Sequence, residues 1–400
     1  MKAKSFMLIA GEASGDLLAA ELVQALRREF AAEPTRPTND YQPLHTSLEP
    51  RFFGAGGAQM AAAGVELAFD LTRHAVIGLG FLNTFLEIRR LFLQLVRLAR
   101  EREPEAIICV DYAGFNRRFA HAIKSYVRRR HDWFHDWNPK IIQYVSPQVW
   151  ASREGRAWQI ARDYDLVVST YPFEKEWYAS RVPDLAVEYV GNPVVEKYLT
   201  VQSADRQPDG LPLIALLPGS RRAELARHLG PMLGALQIMS SSVPGLRARM
   251  VLPSDTLVQQ ARAFGLPSSL EIQCGGLPET LAQTTVAISK TGTVATECAC
   301  AGVPTIAIYK TSWFTFEVGK RIVKVGHLAM PNLLAGEEVF PEFIQGAATA
   351  ENIANAALAL LRDEARRART KARLREVMGT LGGSGASRRA ARAIARLVGV

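Results

Sequence analysis

The sequence predicts an α/β fold built from two Rossmann-like domains, each a parallel sheet with helices on both faces, the two facing each other across a cleft. Two observations predict it. Short apolar runs alternate with segments of helical period, and the alternation restarts near residue 213. Small-residue turns follow several of those runs and lead into helix-like segments, as parallel sheets with crossover helices require.

The first series opens with Ser5–Ala10, an apolar run of strand length. Asp16–Phe30 follows, with Leu18, Leu22, Ala25 and Leu26 at helical spacing. Further strands are expected at Phe52–Gly54, Ala106–Tyr112, Ile141–Ser146, Leu166–Thr170 and Val187–Val190. The second series runs Leu213–Leu217, Arg249–Leu252, Glu271–Cys274, Thr285–Ser289 and Thr305–Tyr309. The polar stretch Tyr198–Pro212 separates them, giving an N-terminal domain over 1–200 and a C-terminal domain over 201–380. A last helix, about 383–400, would extend to another subunit or pack back on the first domain. Residues 31–50 hold four prolines and read as a surface loop.

Composition bounds the function. The chain has 400 residues, 48% apolar and 22% charged, enough for sizeable cores without disulfide or metal staples. Its formal charge is +9, but residues 361–400 hold eleven Lys or Arg against three acids, a net +8. A nearly neutral body with a basic tail is a weak footprint for nucleic acid, so no nucleic-acid partner is expected. Cys109, Cys274, Cys298 and Cys300 lack zinc spacing and read as reduced core thiols. Ser5–Ala10 is too short for a signal-peptide core, and no run reaches the ~18 apolar residues of a spanning helix. A cytoplasmic chain that can lie on a membrane is expected.

The chemistry-bearing residues cluster after the strands. Gly11-Glu12-Ala13-Ser14-Gly15-Asp16 combines turn glycines with two acids. Ser14 and Asp16 suit a helix cap, and Glu12 and Asp16 suit substrate hydroxyls; acids there would repel a pyrophosphate. Asp111-Tyr112-Ala113-Gly114-Phe115-Asn116 places Asp111 at the end of an apolar strand, where a carboxylate can deprotonate a hydroxyl or cap a turn. Ser146-Pro147-Gln148-Val149-Trp150 ends another strand, and Trp150 can stack on a ligand or close the core. In the second series, Leu217-Pro218-Gly219-Ser220-Arg221 offers helix-start amides and a guanidinium to a diphosphate. Ser289-Lys290-Thr291-Gly292-Thr293-Val294-Ala295-Thr296-Glu297 is a second strand end running into a small-residue turn, with Glu297 one helical turn in; it suits phosphate and ribose hydroxyls, or close helix–sheet packing. Acids on one half and phosphate-type turns on the other fit a two-domain glycosyltransferase.

Two further segments stand out. Eleven of the eighteen residues in Phe81–Leu98 are large and apolar, including Phe81, Leu82, Phe85 and Leu86, with Arg89 and Arg90 among them. This suits either a buried helix or one lying in an anionic membrane interface. Val127–Pro139 combines Arg128, Arg129 and Arg130 with Trp133, Phe134 and Trp137. His131 and His135 are four apart there, but no third ligand is near, so no metal is expected.

Taken in order, these motifs resemble the lipid-A-disaccharide synthase family, glycosyltransferase family 19. The resemblance runs from Met7 to about Gln345. It includes Ala10–Asp16, Phe53–Met60, Val76–Leu79, Tyr144–Trp150, Pro172–Lys175, Leu217–Arg221, Thr291–Glu297, Lys320–Val325 and Pro331–Gly336. It implies an inverting GT-B enzyme using no metal or other cofactor. The donor would be UDP-2,3-diacylglucosamine, the acceptor 2,3-diacylglucosamine 1-phosphate (lipid X), and the products a β-1,6 disaccharide 1-phosphate and UDP. It implies peripheral binding to the cytoplasmic face of the inner membrane of a Gram-negative cell, with Phe81–Leu98 as the docking segment; a homodimer is compatible with it. It places Asn332 against donor or diphosphate.

One departure matters. Family members commonly read Asp-Ala-Pro-Asp-Phe-Asn in the second motif. Here Asp111 and Asn116 match and Gly114 replaces the second acid, so the base must be another group: Asp111 first, then Glu12 or Asp16. Glu105 and Asn192 are milder departures, where Asp and His are common. Two other readings compete: a UDP-N-acetylglucosamine 2-epimerase-like enzyme, and a non-catalytic peripheral lipid-binding relative.

Overall fold

A computed structural model describes residues 4–31, 49–74, 81–130, 132–199 and 210–399, with the side chains of 73, 74 and 81–85 outside the description. The expected loop at 31–50 and His131 therefore lie almost entirely outside the described residues, as does most of the polar stretch after Tyr198. The chain divides into two units, Met1–Pro193 with Gly385–Val400, and Val194–Ser384.

In the first unit, seven strands pair in parallel in the order β3-β2-β1-β4-β5-β6-β7. They are β1 (Ser5–Ala10), β2 (Arg51–Gly56), β3 (Glu66–Asp70), β4 (Ala106–Val110), β5 (Lys140–Tyr144), β6 (Leu166–Ser169) and β7 (Val187–Tyr189). The central strands are continuous apolar runs because both sheet faces are covered. Phe6, Leu8 and Ala10 point to one core; Met7 and Ile9, of opposite parity, point to the other. The Ala13–Ala31 helix covers the first face together with the Ala386–Leu397 helix. Ala390, Ala391 and Ile394 are buried in that core. Arg389 Nε donates to Val190 O at 2.7 Å, and Arg392 pairs with Glu29 at 3.2 Å. The end of the chain is thus folded onto its own first unit, and part of the basic tail is compensated there.

The second unit repeats the plan with six strands in the order β10-β9-β8-β11-β12-β13. They are β8 (Leu213–Leu217), β9 (Arg247–Leu252), β10 (Leu270–Cys274), β11 (Val286–Lys290), β12 (Thr305–Tyr309) and β13 (Glu342–Ile344), again all parallel. The Arg222–Ser242 and Ala350–Arg362 helices share its core with these strands.

The structure differs from expectation in three places. The division falls at Pro193, not at 200, because the Pro193–Tyr198 helix buries Tyr198 within the second unit. β3 and β13 are edge strands that the apolar-run criterion missed; neither contains a buried residue. Cys274 is exposed rather than a core thiol, because β10 is an edge strand. Phe81–Arg102 is one helix that buries Leu91, Leu95 and Ala99 but exposes Leu86 and Leu93 beside Arg89 and Arg90.

Candidate active site

In an open parallel sheet, ligands bind beyond the carboxyl ends of the strands where the strand order reverses. Each sheet here has one such point. In the first it lies between β1 and β4, in the second between β8 and β11. The turns at these points are Gly11–Asp16 and Asp111–Asn116 in the first unit, and Pro218–Arg221 and Thr291–Glu297 in the second.

The first unit's two turns are packed together. The Tyr112 ring lies where a side chain at Gly11 would stand, so only glycine fits there. A Cβ on Gly15 would be in ordinary contact with the Asp111 Cβ at 3.7 Å. Asp111 and Tyr112 both hold positive φ, 48° and 43°, and Val145 at the end of the next strand holds 69°. Left-handed backbone at three residues with side chains, one of them β-branched, costs free energy and collects at functional sites. Side-chain amides brace it. Asn116 Nδ2 and Gln143 Nε2 donate to Asp111 O at 2.8 and 3.1 Å. The Asn116 and Gln143 amide oxygens are buried and accept no hydrogen bond. Asp111 itself is half-buried, as is Glu12, while Ser14 is exposed. The Tyr112 hydroxyl is pushed up from its ordinary range, first by burial and then by the Glu12 charge.

Asp16 is engaged by backbone amides of a neighbouring helix. Its carboxylate accepts from Gly57 N at 2.7 Å, Gln59 N at 2.9 Å and Met60 N at 3.1 Å. It caps the start of the Ala58–Ala62 helix rather than its own, and is buried doing so. Trp150 is also reassigned. It is buried, packs edge-to-face on Phe173 at 4.9 Å, and donates its indole N–H to Glu174 Oε1 at 3.0 Å. Ser146 is buried beside it, 3.4 Å from the Tyr178 hydroxyl. Glu174, given no role of its own within the Pro172–Lys175 stretch, is fully buried, and burial pushes its carboxyl up to about 7 against the opposing hydrogen bond from Trp150.

In the second unit, Gly219 holds φ 129° where Glu224 folds back over the turn. Glu224 Oε2 accepts from Ser220 N at 3.0 Å, and Glu224 Oε1 pairs with Lys290 at 3.1 Å. A carboxylate therefore occupies an amide of the expected anion turn, and Lys290 joins that turn to the Thr291–Glu297 turn. Burial raises the Glu224 carboxyl, but Lys290, the Ser220 amide and Arg221 together hold it below its ordinary value. Arg221 is exposed at the N-cap of the Arg222–Ser242 helix. Buried His228 spans from Pro218 O at 2.7 Å to Lys310 N at 3.0 Å. Its Nδ1–H donates and its Nε2 accepts, so it is neutral, and burial holds its pKa down. Gly292 and Thr293 are exposed, Thr291 and Thr296 are buried, and Thr296 Oγ1 has no partner. Burial raises the Glu297 carboxyl, opposed by Lys197.

Asn332 is reassigned as well. It is fully buried; its amide donates to Phe340 O and Glu342 Oε1 and accepts from Val339 N and Phe340 N, all within 2.9 Å. It shapes its loop and has no valence left for a donor. The chain also carries one Asp-x-Asp triplet, Asp163-Tyr164-Asp165, the pattern that can hold a divalent cation. It precedes β6 rather than following a strand. Asp163 lies against His121, Arg128 and Arg162, and Asp165 against Lys124, so its charges are compensated.

Solved structures of similar fold include a UDP-GlcNAc 2-epimerase from Neisseria meningitidis bound to UDP-GlcNAc (TM-score 0.63, 11% identity, 99% of this chain and 100% of that one). Another is the calicheamicin glycosyltransferase CalG4 (TM-score 0.60, 14% identity, 100% and 99%). At such identity they share the two-domain fold alone. Sequence relatives are closer. Lipid-A-disaccharide synthase of Trichlorobacter lovleyi is 34% identical over 99% of this chain and 98% of its own. That of Myxococcus xanthus is 34% identical over 98% and 97%. The family model for lipid-A-disaccharide synthetase (LpxB) matches residues 6–396. The chain therefore belongs to the lipid-A-disaccharide synthase family.

Proposed function

We propose that the chain transfers 2,3-diacylglucosamine from UDP-2,3-diacylglucosamine to the 6-hydroxyl of 2,3-diacylglucosamine 1-phosphate, giving a β-1,6 disaccharide 1-phosphate and UDP. The acceptor oxygen attacks the anomeric carbon from the face opposite the diphosphate. Its proton passes to the base, and the bond from that carbon to the β-phosphate oxygen breaks with its electron pair going to UDP. The observation that carries this reading is the matched pair of switch points, acid-bearing in one sheet and amide- and cation-bearing in the other.

Asp111 is the proposed base. It stands at the first switch point on braced left-handed backbone, whereas Asp16 is committed to a helix cap. Glu12, beside Tyr112, is the second candidate. Arg221, Lys290 and the Gly219–Ser220 amides would take the charge that develops on the leaving diphosphate. Occupying that turn requires Glu224 to give up the Ser220 amide and share Lys290. Thr291, Gly292, Thr293, Thr296 and Glu297 would take the rest of the nucleotide. No metal is invoked in any step.

Acylated substrates place the enzyme at a lipid surface. Among the described residues no helix is long and apolar enough to cross a membrane. The Phe81–Arg102 helix, with Leu86 and Leu93 exposed beside Arg89 and Arg90, is the proposed contact with the cytoplasmic leaflet. The test presents both substrates in mixed micelles and follows UDP release and disaccharide formation. Epimer formed from an unacylated UDP-sugar, or donor bound without turnover, would sink the proposal.

A further inference from the structure

The Trp313–Ile322 helix is unlike the other helices of the second unit. None of its ten residues is buried. Every other described helix of eight or more residues in that unit buries at least two. Trp313 is 73% and Phe314 72% exposed, and Val318, one turn on from Phe314, is exposed as well. Arg321 follows one further turn along the same face. The helix is nonetheless well formed. The Ser312 hydroxyl accepts from Thr315 N at 3.2 Å at its start, and Lys320 and Arg321 stand in its last turn, where cations suit the helix dipole.

Its place in the fold is also informative. It begins four residues after β12, at the carboxyl edge of the second sheet, the edge that carries the diphosphate turn. Its root is fixed there twice. Thr311 exchanges two hydrogen bonds with the Gln345 amide, at 3.0 and 2.9 Å, and Lys310 N donates to His228, whose other nitrogen holds Pro218 O. A stable helix that exposes aromatic side chains on a pinned root is held out for a partner.

We propose that this helix is a lipid-surface contact of the nucleotide-binding unit. Trp313, Phe314 and Val318 enter the interface of an anionic phospholipid bilayer, and Lys320, Arg321 and Lys324 face its phosphates. Charge favours that partner: residues 313–324 hold three cations and one acid, Glu317. Indole and phenyl rings beside cations are the composition of an interfacial helix. The inference rests on the acylated-donor reading, because a lipid donor whose diphosphate sits at this sheet edge must leave its bilayer beside it.

The test uses the full chain and vesicles of phosphatidylglycerol and phosphatidylethanolamine, with phosphatidylcholine vesicles as the neutral control. Phe314→Ser/Val318→Ser and Lys320→Glu/Arg321→Glu should each lower partition to the anionic vesicles by about tenfold or more. Brominated phosphatidylglycerol should quench wild-type tryptophan emission, and Trp313→Phe should remove a distinct part of that quenching. UDP release from detergent-dispersed substrates should stay within about twofold in all three variants. Unchanged partition in the apolar double variant, or unchanged quenching in Trp313→Phe, overturns the proposal. So does a change in sedimentation that shows the helix covered by a second copy while vesicle binding is unaltered. A wild-type chain that partitions but never releases UDP would sink the enzymatic reading and leave the surface contact standing.

Discussion

Glu174 offers a quantitative test of the first unit. Its carboxyl is fully buried between the Trp150 indole N–H at 3.0 Å and Tyr171 N at 3.3 Å. Burial raises its pKa from 4.5 to about 7. The sign follows directly. Below pH 4.5 the group is neutral whether the chain is folded or not, and burial costs nothing extra. Between 4.5 and about 7 the unfolded chain is ionised and the folded one is not, so stability falls as pH rises. At ~1.4 kcal/mol per pKa unit the loss reaches roughly 3 kcal/mol above pH 7. Glu174→Gln abolishes this dependence. It also loses one of two acceptor positions, a cost of ~1–3 kcal/mol at every pH. The variant should therefore be clearly less stable than wild type at pH 4.5 and close to parity at pH 8. For a unit of this size, ~3 kcal/mol corresponds to a change in the Tm difference of roughly 6–12 °C. Calorimetry of both proteins from pH 4.5 to 8 measures it. A Tm difference that does not change with pH would refute the argument that burial keeps this carboxyl protonated.

Other outcomes follow from the sites. Asp111→Asn should lower kcat by ~10²–10⁴-fold with little change in donor KM, since it removes a proton acceptor and no donor contact; wild-type turnover would pass the role to Glu12. Gly114→Asp should be tolerated, because nothing lies within 4 Å of a side-chain carbon there, and a carboxylate in the first helical turn should add ~0.3–1 kcal/mol to thermal stability. Arg221→Ala should cost ~10²-fold or more in kcat, and Lys290→Ala should raise the UDP inhibition constant measured in the same assay. His228 is held neutral with a lowered pKa, so its contribution should be intact above pH ~6.5 and fade as pH falls below it; His228→Asn, which cannot titrate, should flatten that acid limb in calorimetry.

The four switch-point turns were legible because strand, small-residue turn and helix start are local patterns. Roles that depend on distant partners were not. Asp16 reads as a cap or catalytic acid in sequence, and only the fold brings the amides of Gly57, Gln59 and Met60 to it. Asn332 matches a family motif, yet its hydrogen bonds to Phe340 and Glu342 assign it to the loop's architecture. Glu224 and His228 passed unmarked, and Lys290 stood in its motif without a role, for the same reason. Lys290 ends a strand and Glu224 begins a helix 66 residues earlier, and sheet pairing of β8 with β11 makes them neighbours. β13 has three residues and no buried side chain, too little apolar signal to distinguish a strand from a turn.

The return of the Ala386–Leu397 helix to the first unit sets an order of events during synthesis. The Ala13–Ala31 helix leaves the ribosome long before the Ala386–Leu397 helix that packs against it. At ~5–20 residues per second, the interval between completing Pro193 and making Gly385 is on the order of 10–40 s. Throughout that time an apolar face around Leu22 and Leu26 lacks Ala390 and Ile394. A nascent chain stalled anywhere in the second unit would carry that uncovered face. It would be a ready client for chaperones and a point of aggregation at high expression, and a bulky insertion just before Ala386 would impair the first unit rather than the second.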